Sequence, residues 1–115
     1  MAARVLIIQF PGVNCEYESL RVVESVGLRG EIRRWNDASA AVKTAPAIIL
    51  PGGWSYQDRI RAGVVAAKDK VLDDVIEAAD RGVPVIGICN GAQVLVETGI
   101  VPGFEKDLQE KQKRL

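Results

Sequence analysis

Residues 83–95 read VPVIGICNGAQVL, an apolar run that gives way to small residues around a cysteine. Gly87, Cys89 and Gly91 fit the pattern G-x-nucleophile-x-G, in which a strand turns sharply into a helix and holds the nucleophile in strained backbone. The glycines matter because side chains two residues to either side of the nucleophile would collide with the turn. We therefore predict that a buried strand, a tight turn at Cys89 and a helix follow one another here.

Short apolar runs alternate with helical patterns along the rest of the chain. The apolar runs at residues 4–10 and 47–53 are typical of strands covered on both faces, and the more polar residues 31–35 indicate a strand nearer an edge. The fourth strand is expected at 83–89, and the predicted helices cover 14–27, 37–45, 68–81 and 91–99. This alternation predicts an α/β fold, flavodoxin-like in outline, with a parallel sheet and helices on both faces.

Capping residues and apolar spacing define the helices more closely. Asn14 and Asp37 are the expected N-caps of the first two helices, and Gly82 is placed to end the third. The third helix has an apolar face, which predicts its buried residues. That predicted face consists of Val71, Leu72, Val75, Ile76 and Ala79.

The composition limits the class of protein. The chain has 115 residues, enough for one domain, and its fifteen Lys and Arg residues balance fifteen Asp and Glu residues. The chain therefore has no net charge that would favour binding to nucleic acid or to an anionic membrane. No apolar run approaches the roughly 20 residues of a membrane span. The opening MAARVLIIQFPG is interpreted as a strand and not as a signal peptide, because a proline and a glycine end its apolar run early.

The two cysteines indicate free thiols. Cys15 and Cys89 are too few for a disulfide framework and lack the spacing of a zinc site. We therefore expect a cytoplasmic protein without a bound metal.

From the residues alone, Cys89 has two interpretations. A helix N-terminus stabilises a thiolate, and the backbone N–H of Asn90 with one from Pro51–Gly53 would form an oxyanion hole around a nucleophile. Alternatively, the segment is only a strand-to-helix turn with a buried thiol. The spacing leaves both interpretations open.

Three longer segments together resemble a known family. They are FPGVNCEYES at 10–19, PGGWSYQDRIRAGVVAA at 51–67 and GICNGAQVLVETGIVPG at 87–103. These segments are similar to the glutaminase subunit of phosphoribosylformylglycinamidine synthase, a class I glutamine amidotransferase of purine synthesis. The resemblance covers about residues 4–103. Protease-like relatives usually have a histidine directly after the cysteine, so Asn90 argues against a stand-alone hydrolase of that type.

The resemblance implies a reaction and a set of site residues. Cys89 would attack the carboxamide of glutamine, form a γ-glutamyl thioester and release ammonia to a synthetase subunit. Gly53 and Asn90 resemble the oxyanion donors. No cofactor is expected in this chain, whereas ATP and magnesium are expected on the synthetase partner. The positions that resemble the substrate-binding residues are Gly52, Ser55 and Gln93.

The chain departs from the family after Gly103. Family members are longer and take a catalytic histidine and an acidic partner from later strands, whereas this sequence contains no histidine. A cysteine amidotransferase needs a base and an acid, and neither Asp58 nor Glu97 is an evident substitute. We therefore expect a fold that is incomplete at the C-terminus and a chain that is inactive alone.

Two further expectations follow for organisation and partners. Residues 1–104 would form the N-terminal part of an amidotransferase domain, and residues 105–115 a polar helical or frayed tail. An incomplete sheet would leave an edge open, which favours a homodimer. The alternative function is a non-catalytic α/β interaction module that retains the turn around Cys89.

Overall fold

The computed structural model describes residues 3–53, 56 and 63–101. In this part of the chain, four parallel strands form one sheet in the order β2-β1-β3-β4. The strands are β1 (Arg4–Gln9), β2 (Arg29–Arg34), β3 (Ala47–Leu50) and β4 (Val85–Gly87). The α/β class, the parallel sheet and the edge position of the polar strand β2 are thereby confirmed. The predicted tail at 105–115 lies outside the described residues.

Helices connect the strands. They are α1 (Glu16–Ser25), α2 (Ser39–Thr44), α3 (Val64–Ala67), α4 (Lys70–Asp80) and α5 (Asn90–Thr98), with a 3-10 turn at Trp35–Asp37. Within the described ranges, none of these helices has the length and apolar character needed to cross a membrane.

Side chains that alternate along the strands divide the core into two clusters. The larger cluster includes Leu6, Ile8 and Ile48 and packs against residues of α2 to α5. The smaller one lies on the opposite face, where α1 covers Ile7 and Ile49. The sheet therefore carries helices on both faces, as predicted.

Strands β3 and β4 are shorter than the sequence predicts. The apolar run 83–89 forms a strand only at Val85–Gly87, because the backbone at Cys89 has a positive φ that cannot extend a strand. The run 47–53 is a strand only as far as Leu50. In both segments the residues that follow the strand form part of the cavity described below.

The two predicted N-caps are wrong. Cys15 directly precedes α1, and the backbone N–H of Asn14 instead donates to the carbonyl of Gly52. Asp37 is the last residue of the 3-10 turn, and Ala38 precedes α2. In both cases the backbone leads into the helix through a turn with no side-chain cap.

The buried face of α4 differs from the prediction at Ile76, Ala78 and Ala79. Ala78 is buried and Ala79 is only half-buried, because Ala78 follows Val71 by seven residues and shares its face. Ile76 is also only half-buried. The buried residues of α4 are Val71, Leu72, Val75 and Ala78.

The two edges of the described sheet differ in chemistry. On the β2 side, Glu31 accepts from Arg33 at 2.7 Å and from Arg4 at 2.8 Å, and Arg33 also lies 3.5 Å from Asp37. The hydrogen bond from Arg33 is the main reason that the pKa of Glu31 lies below its usual value. On the β4 side, Ile86 is 54% exposed. Charged edges resist pairing with another strand, so β4 is the edge that remains open to it.

Candidate active site

Cys89 occupies a strained turn between β4 and α5. Its backbone has φ 54° and ψ −108°, a combination that residues other than glycine seldom adopt. Such outliers persist where the surrounding structure imposes them and are common at functional sites. The Cys89 thiol belongs to an exposed residue. The turn is therefore not one that hides a thiol in the core.

Close packing explains the two glycines that flank this turn. A Cβ atom on Gly91 would stand 1.9 Å from the carbonyl oxygen of Leu50, and one on Gly87 would stand 2.7 Å from the nitrogen of Ala92. Both distances are far below van der Waals contact, so neither position accepts a side chain without backbone movement. The predicted role of the glycines is confirmed: they let α5 pack directly on the ends of β3 and β4.

The segment after β3 lies beside Cys89. A Cβ atom placed on Gly52 would be 3.6 Å from Cys89 Cβ and 3.7 Å from Cys15 Sγ, which are ordinary contact distances. Gly52 therefore lies next to both thiol residues, and its missing side chain leaves room there for about one methyl group. The proximity arises because β3 is paired with both β1 and β4, so the carboxyl ends of these strands meet.

The connection between β1 and α1 fixes the orientation of the Gly52–Gly53 peptide. The Gly52 carbonyl accepts the backbone N–H of Cys15 at 3.2 Å and that of Asn14 at 3.4 Å, and Val13 forms an antiparallel bridge with Gly53. In a trans peptide the C=O and N–H groups point in opposite directions. The Gly53 N–H therefore points away from this connection.

These segments enclose a cavity of about 400 Å³. This volume lies within the usual range of small-molecule sites, about 300–1,000 Å³. Of the predicted site residues, Gly52, Gly53, Cys89 and Gln93 meet here, while Ser55 lies outside the described residues. The lining is formed by Asn14, Cys15, Gly52, Gly53, Ile88, Cys89 and Gln93.

Asn90 holds one of the residues that line the cavity in place. Its side chain is 1% exposed, and its Nδ2 donates to Gln93 Oε1 at 3.0 Å. Because Oε1 of Gln93 faces Asn90, the amide nitrogen of Gln93 is the end available to a molecule in the cavity. The buried side-chain amide of Asn90 thus orients the side-chain amide of the exposed residue Gln93.

Asn14, Cys15 and Ile88 line the cavity but were not predicted as site residues. The sequence placed FPGVN after the first strand, and the carboxyl ends of parallel strands meet at one edge of the sheet. That rule was the available signal for Asn14 and Cys15. Ile88 carried no signal of its own, since it reads as part of the apolar run.

The titratable groups among the described lining residues are the thiols of Cys15 and Cys89. Asp58, considered as a base, lies outside the described residues, and Glu97 is on α5 but does not line the cavity. The described part of the chain therefore brings a thiol and backbone donors together without an imidazole or carboxylate.

Tyr56 is the described residue of the loop WSYQD. Its backbone N–H donates to the Pro11 carbonyl at 2.6 Å, its hydroxyl donates to Asp69, and its ring packs against the larger core cluster. Burial raises the pKa of Tyr56, and the hydrogen bond to Asp69 raises it further. Tyr56 is thus held by a residue between β1 and α1 and by the residue that precedes α4.

Comparison with known proteins identifies the class of domain. Residues 2–115 match the family of CobB/CobQ-like glutamine amidotransferase domains, and the chain belongs to this family. The resemblance inferred from the sequence motifs is thereby confirmed.

Two individual relatives are subunits of the same synthase. The chain is 52% identical over 99 residues to phosphoribosylformylglycinamidine synthase subunit PurQ of Methanothrix thermoacetophila, covering 86% of this chain and 38% of that protein. It is 45% identical over 103 residues to the PurQ subunit of Mycobacterium tuberculosis strain H37Rv, covering 90% of this chain and 45% of that protein. This chain thus spans less than half the length of these relatives.

Solved structures agree with the fold. The structure of PurLQS from Thermotoga maritima superposes with a TM-score of 0.82 at 36% identity, covering 88% of this chain and 46% of that one. A putative GMP synthase protein from Thermoplasma acidophilum has a TM-score of 0.57 at 21% identity and covers 83% of this chain and 44% of that one. The second match bears on the fold alone.

Proposed function

We propose that this chain provides the cysteine-bearing part of a glutaminase that supplies ammonia for the formation of phosphoribosylformylglycinamidine in purine synthesis. The observation that carries the proposal is the exposed Cys89, held at φ 54° beside Gly52 at the edge of a cavity of about 400 Å³. The names of the PurQ relatives support the choice of reaction. This role implies a cytoplasmic protein.

Cys89 would act as the nucleophile. Its sulfur attacks the carboxamide carbon of glutamine, and a tetrahedral oxyanion forms. Collapse of this intermediate breaks the C–N bond, and the nitrogen leaves as ammonia once it has gained a proton. Water then hydrolyses the γ-glutamyl thioester to glutamate and restores the thiol.

The oxyanion would be stabilised by the backbone N–H groups of Gly53 and Asn90. Gly53 is suited to this role because it lines the cavity and the hydrogen bonds to the Gly52 carbonyl direct its N–H away from the connection between β1 and α1. Asn90 follows the nucleophile directly, at the first position of α5. Preorganised donors of this kind stabilise charge that develops only during the reaction.

Glutamine itself would occupy the cavity over Gly52. The cavity lined by Gly52 and Cys89 has room for the substrate's side chain, and the amide nitrogen of Gln93 can donate to a substrate oxygen. Ser55 is proposed as a further contact on the strength of the sequence resemblance. Each of these contacts positions the carboxamide for attack.

We expect the chain to be inactive as a glutaminase on its own. The sequence contains no histidine, and no described residue lining the cavity can serve as a base. A synthetase partner, which would hold ATP and magnesium, is proposed to use the ammonia; the relative solved as PurLQS supports this association. The absence of a base among the described lining residues favours the non-catalytic interaction module as the second candidate.

The β4 edge is the proposed site of homodimer formation. In the described sheet β4 is paired with β3 alone, and Ile86 stands in register with Ile49 on the face that α1 covers only in part. The opposite edge carries the ionic pairs of Glu31 and is protected against strand pairing. A second copy that pairs along β4 would extend the sheet and cover Ile86.

Glutamine-dependent ammonia release tests the proposed function. The chain would be assayed alone, and then together with the histidine-bearing part of a PurQ relative and its synthetase partner, with Cys89→Ala as the control. We expect release only in the reconstituted mixture and none with Cys89→Ala. Equal release with Cys89→Ala would contradict a nucleophilic role, and no release under any condition would favour the interaction module.

A further inference from the structure

Both cysteines of the chain line the same cavity. Cys15 lies in the connection before α1, and Cys89 lies at the turn before α5. A Cβ atom on Gly52 would be within 3.7 Å of Cys15 Sγ and within 3.6 Å of Cys89 Cβ. The two residues are therefore both within contact distance of the same point beside Gly52.

We propose that Cys15 is the resolving thiol of Cys89, so that a hydroperoxide converts the pair into an intramolecular disulfide. The site is thus a modification site for a peroxide oxidant, and the product is a form of the chain in which the Cys89 thiol is blocked. This inference goes beyond glutamine hydrolysis, and its readout is the disulfide itself.

The disulfide forms in two steps. The Cys89 thiolate attacks one oxygen of the peroxide, the O–O bond breaks, and Cys89 becomes a sulfenic acid as the peroxide is reduced to water or an alcohol. The Cys15 thiol then attacks the Cys89 sulfur. The S–O bond breaks, its oxygen leaves as water with the thiol proton, and an S–S bond forms. Thiol reductants reverse the modification.

The second step requires side-chain rotation and a movement that brings the two residues together. A disulfide requires the two Cβ atoms to come within about 3.5–4.5 Å of each other. Cys15 Sγ at present faces Asn14 Oδ1 at 3.4 Å, a weak contact that rotation would break. Both residues lie outside the strands of the sheet, and Gly52 contributes no side chain that would keep them apart.

The exposure of the two cysteines, and the reducing compartment that the proposed function implies, are consistent with a transient disulfide. Cys89 is exposed and therefore accessible to a peroxide, whereas Cys15 is half-buried beside it. Disulfides in reducing compartments are usually transient and serve catalysis or redox sensing. Oxidation would stop any reaction that uses the Cys89 thiol until a reductant restored it.

The test is peroxide treatment of the full chain, followed by non-reducing digestion and mass spectrometry. We expect a Cys15–Cys89 linked peptide in a chain that remains monomeric on a non-reducing gel, and its loss after reductant. Cys15→Ser should abolish the linked peptide and let Cys89 proceed to sulfinic acid. Oxidation of wild-type Cys89 to sulfinic acid without the linked peptide, or a link only between two chains, would overturn the proposal.

Gly52→Ala provides a geometric control that keeps both cysteines. Its methyl group makes only ordinary contacts, so the variant should fold, but the methyl group would touch both Cys15 Sγ and Cys89 Cβ. We expect loss of most of the linked peptide in this variant. Full cross-linking in a folded Gly52→Ala chain would contradict the proposed approach of the two cysteines beside Gly52. If Gly52→Ala does not fold, the Cys15→Ser variant alone tests whether Cys15 resolves the oxidised Cys89.

Discussion

Gly91 lies so close to Leu50 that a Cβ atom on residue 91 would stand 1.9 Å from the Leu50 carbonyl oxygen. This approach joins the first turn of α5 to the end of β3. It also fixes the distance between the turn at Cys89 and the segment that begins at Gly52. The position of the thiol therefore depends on a backbone contact that only glycine permits.

Gly91→Ala should destabilise the fold. The added methyl group would meet the backbone of Leu50, which cannot rotate away, and overpacking of this kind typically costs about 1–3 kcal/mol. Urea unfolding followed by circular dichroism measures the loss. Gly52→Ala is the matched control, and its free energy of unfolding should remain within about 0.5 kcal/mol of wild type. Equal stability of the two variants would contradict the packing described for α5.

Gly52→Ala should instead impair binding in the cavity. Its methyl group would fill the space beside Cys89 Cβ without a clash, so we expect a folded chain whose Cys89 reacts more slowly with a glutamine analogue. The reaction rate is measured by intact-mass spectrometry. A small alkylating reagent serves as the comparison, because it needs little of the cavity. An unchanged rate with the glutamine analogue would show that the ligand does not lie over Gly52.

Tyr56→Phe should lower the free energy of unfolding by about 1–2 kcal/mol near neutral pH, because it removes the hydrogen bond to Asp69. The pKa of Tyr56 is raised above its ordinary value of 10.0 in the folded chain, mainly by burial. The stability from its bound proton is fully present below the ordinary pKa and is lost as the pH rises towards the raised pKa. Wild type should thus approach Tyr56→Phe in stability above pH 10.0. A constant difference across that range would count against the contact.

Ile86→Glu should weaken self-association. The side chain is 54% exposed on the edge strand β4, and a charge there would oppose pairing with a second copy. Light scattering over a range of chain concentrations reports the change. Val22→Glu on α1, where the side chain is 63% exposed, is the matched control and should leave the association unchanged. A wild-type chain that stays monomeric at micromolar concentration would refute the proposed homodimer.

The sequence was sufficient for the α/β class with a parallel sheet and for the turn at Cys89. Continuous apolar runs identified the buried strands, and the spacing of Gly87 and Gly91 identified the sharp turn, because steric constraints at that turn leave few alternatives. The polar residues 31–35 also indicated the edge strand, which the structure has at Arg29–Arg34. These features depend on local pattern, which a single sequence contains.

The surroundings of Cys89 could not be predicted in the same way. The carbonyl of Gly52 accepts from Cys15 across 37 residues of sequence, and no local pattern specifies such a pair. Asn14 looked like a helix cap because its residue type favours that role, but tertiary hydrogen bonding gave its backbone a different partner. The cavity lining depends on how the ends of β1, β3 and β4 meet, which only the assembled sheet defines.

Covalent labelling of Cys89 by a diazoketone analogue of glutamine tests the central claim most directly. The analogue would be incubated with the chain, with and without excess glutamine, and the adduct located by peptide mass spectrometry. We predict a single adduct on Cys89 that glutamine slows and that Cys89→Ala abolishes, while Cys15 stays unmodified. Labelling of Cys15 in preference to Cys89, or labelling of Cys89 at a rate that excess glutamine does not change, would contradict a glutamine site built around Cys89.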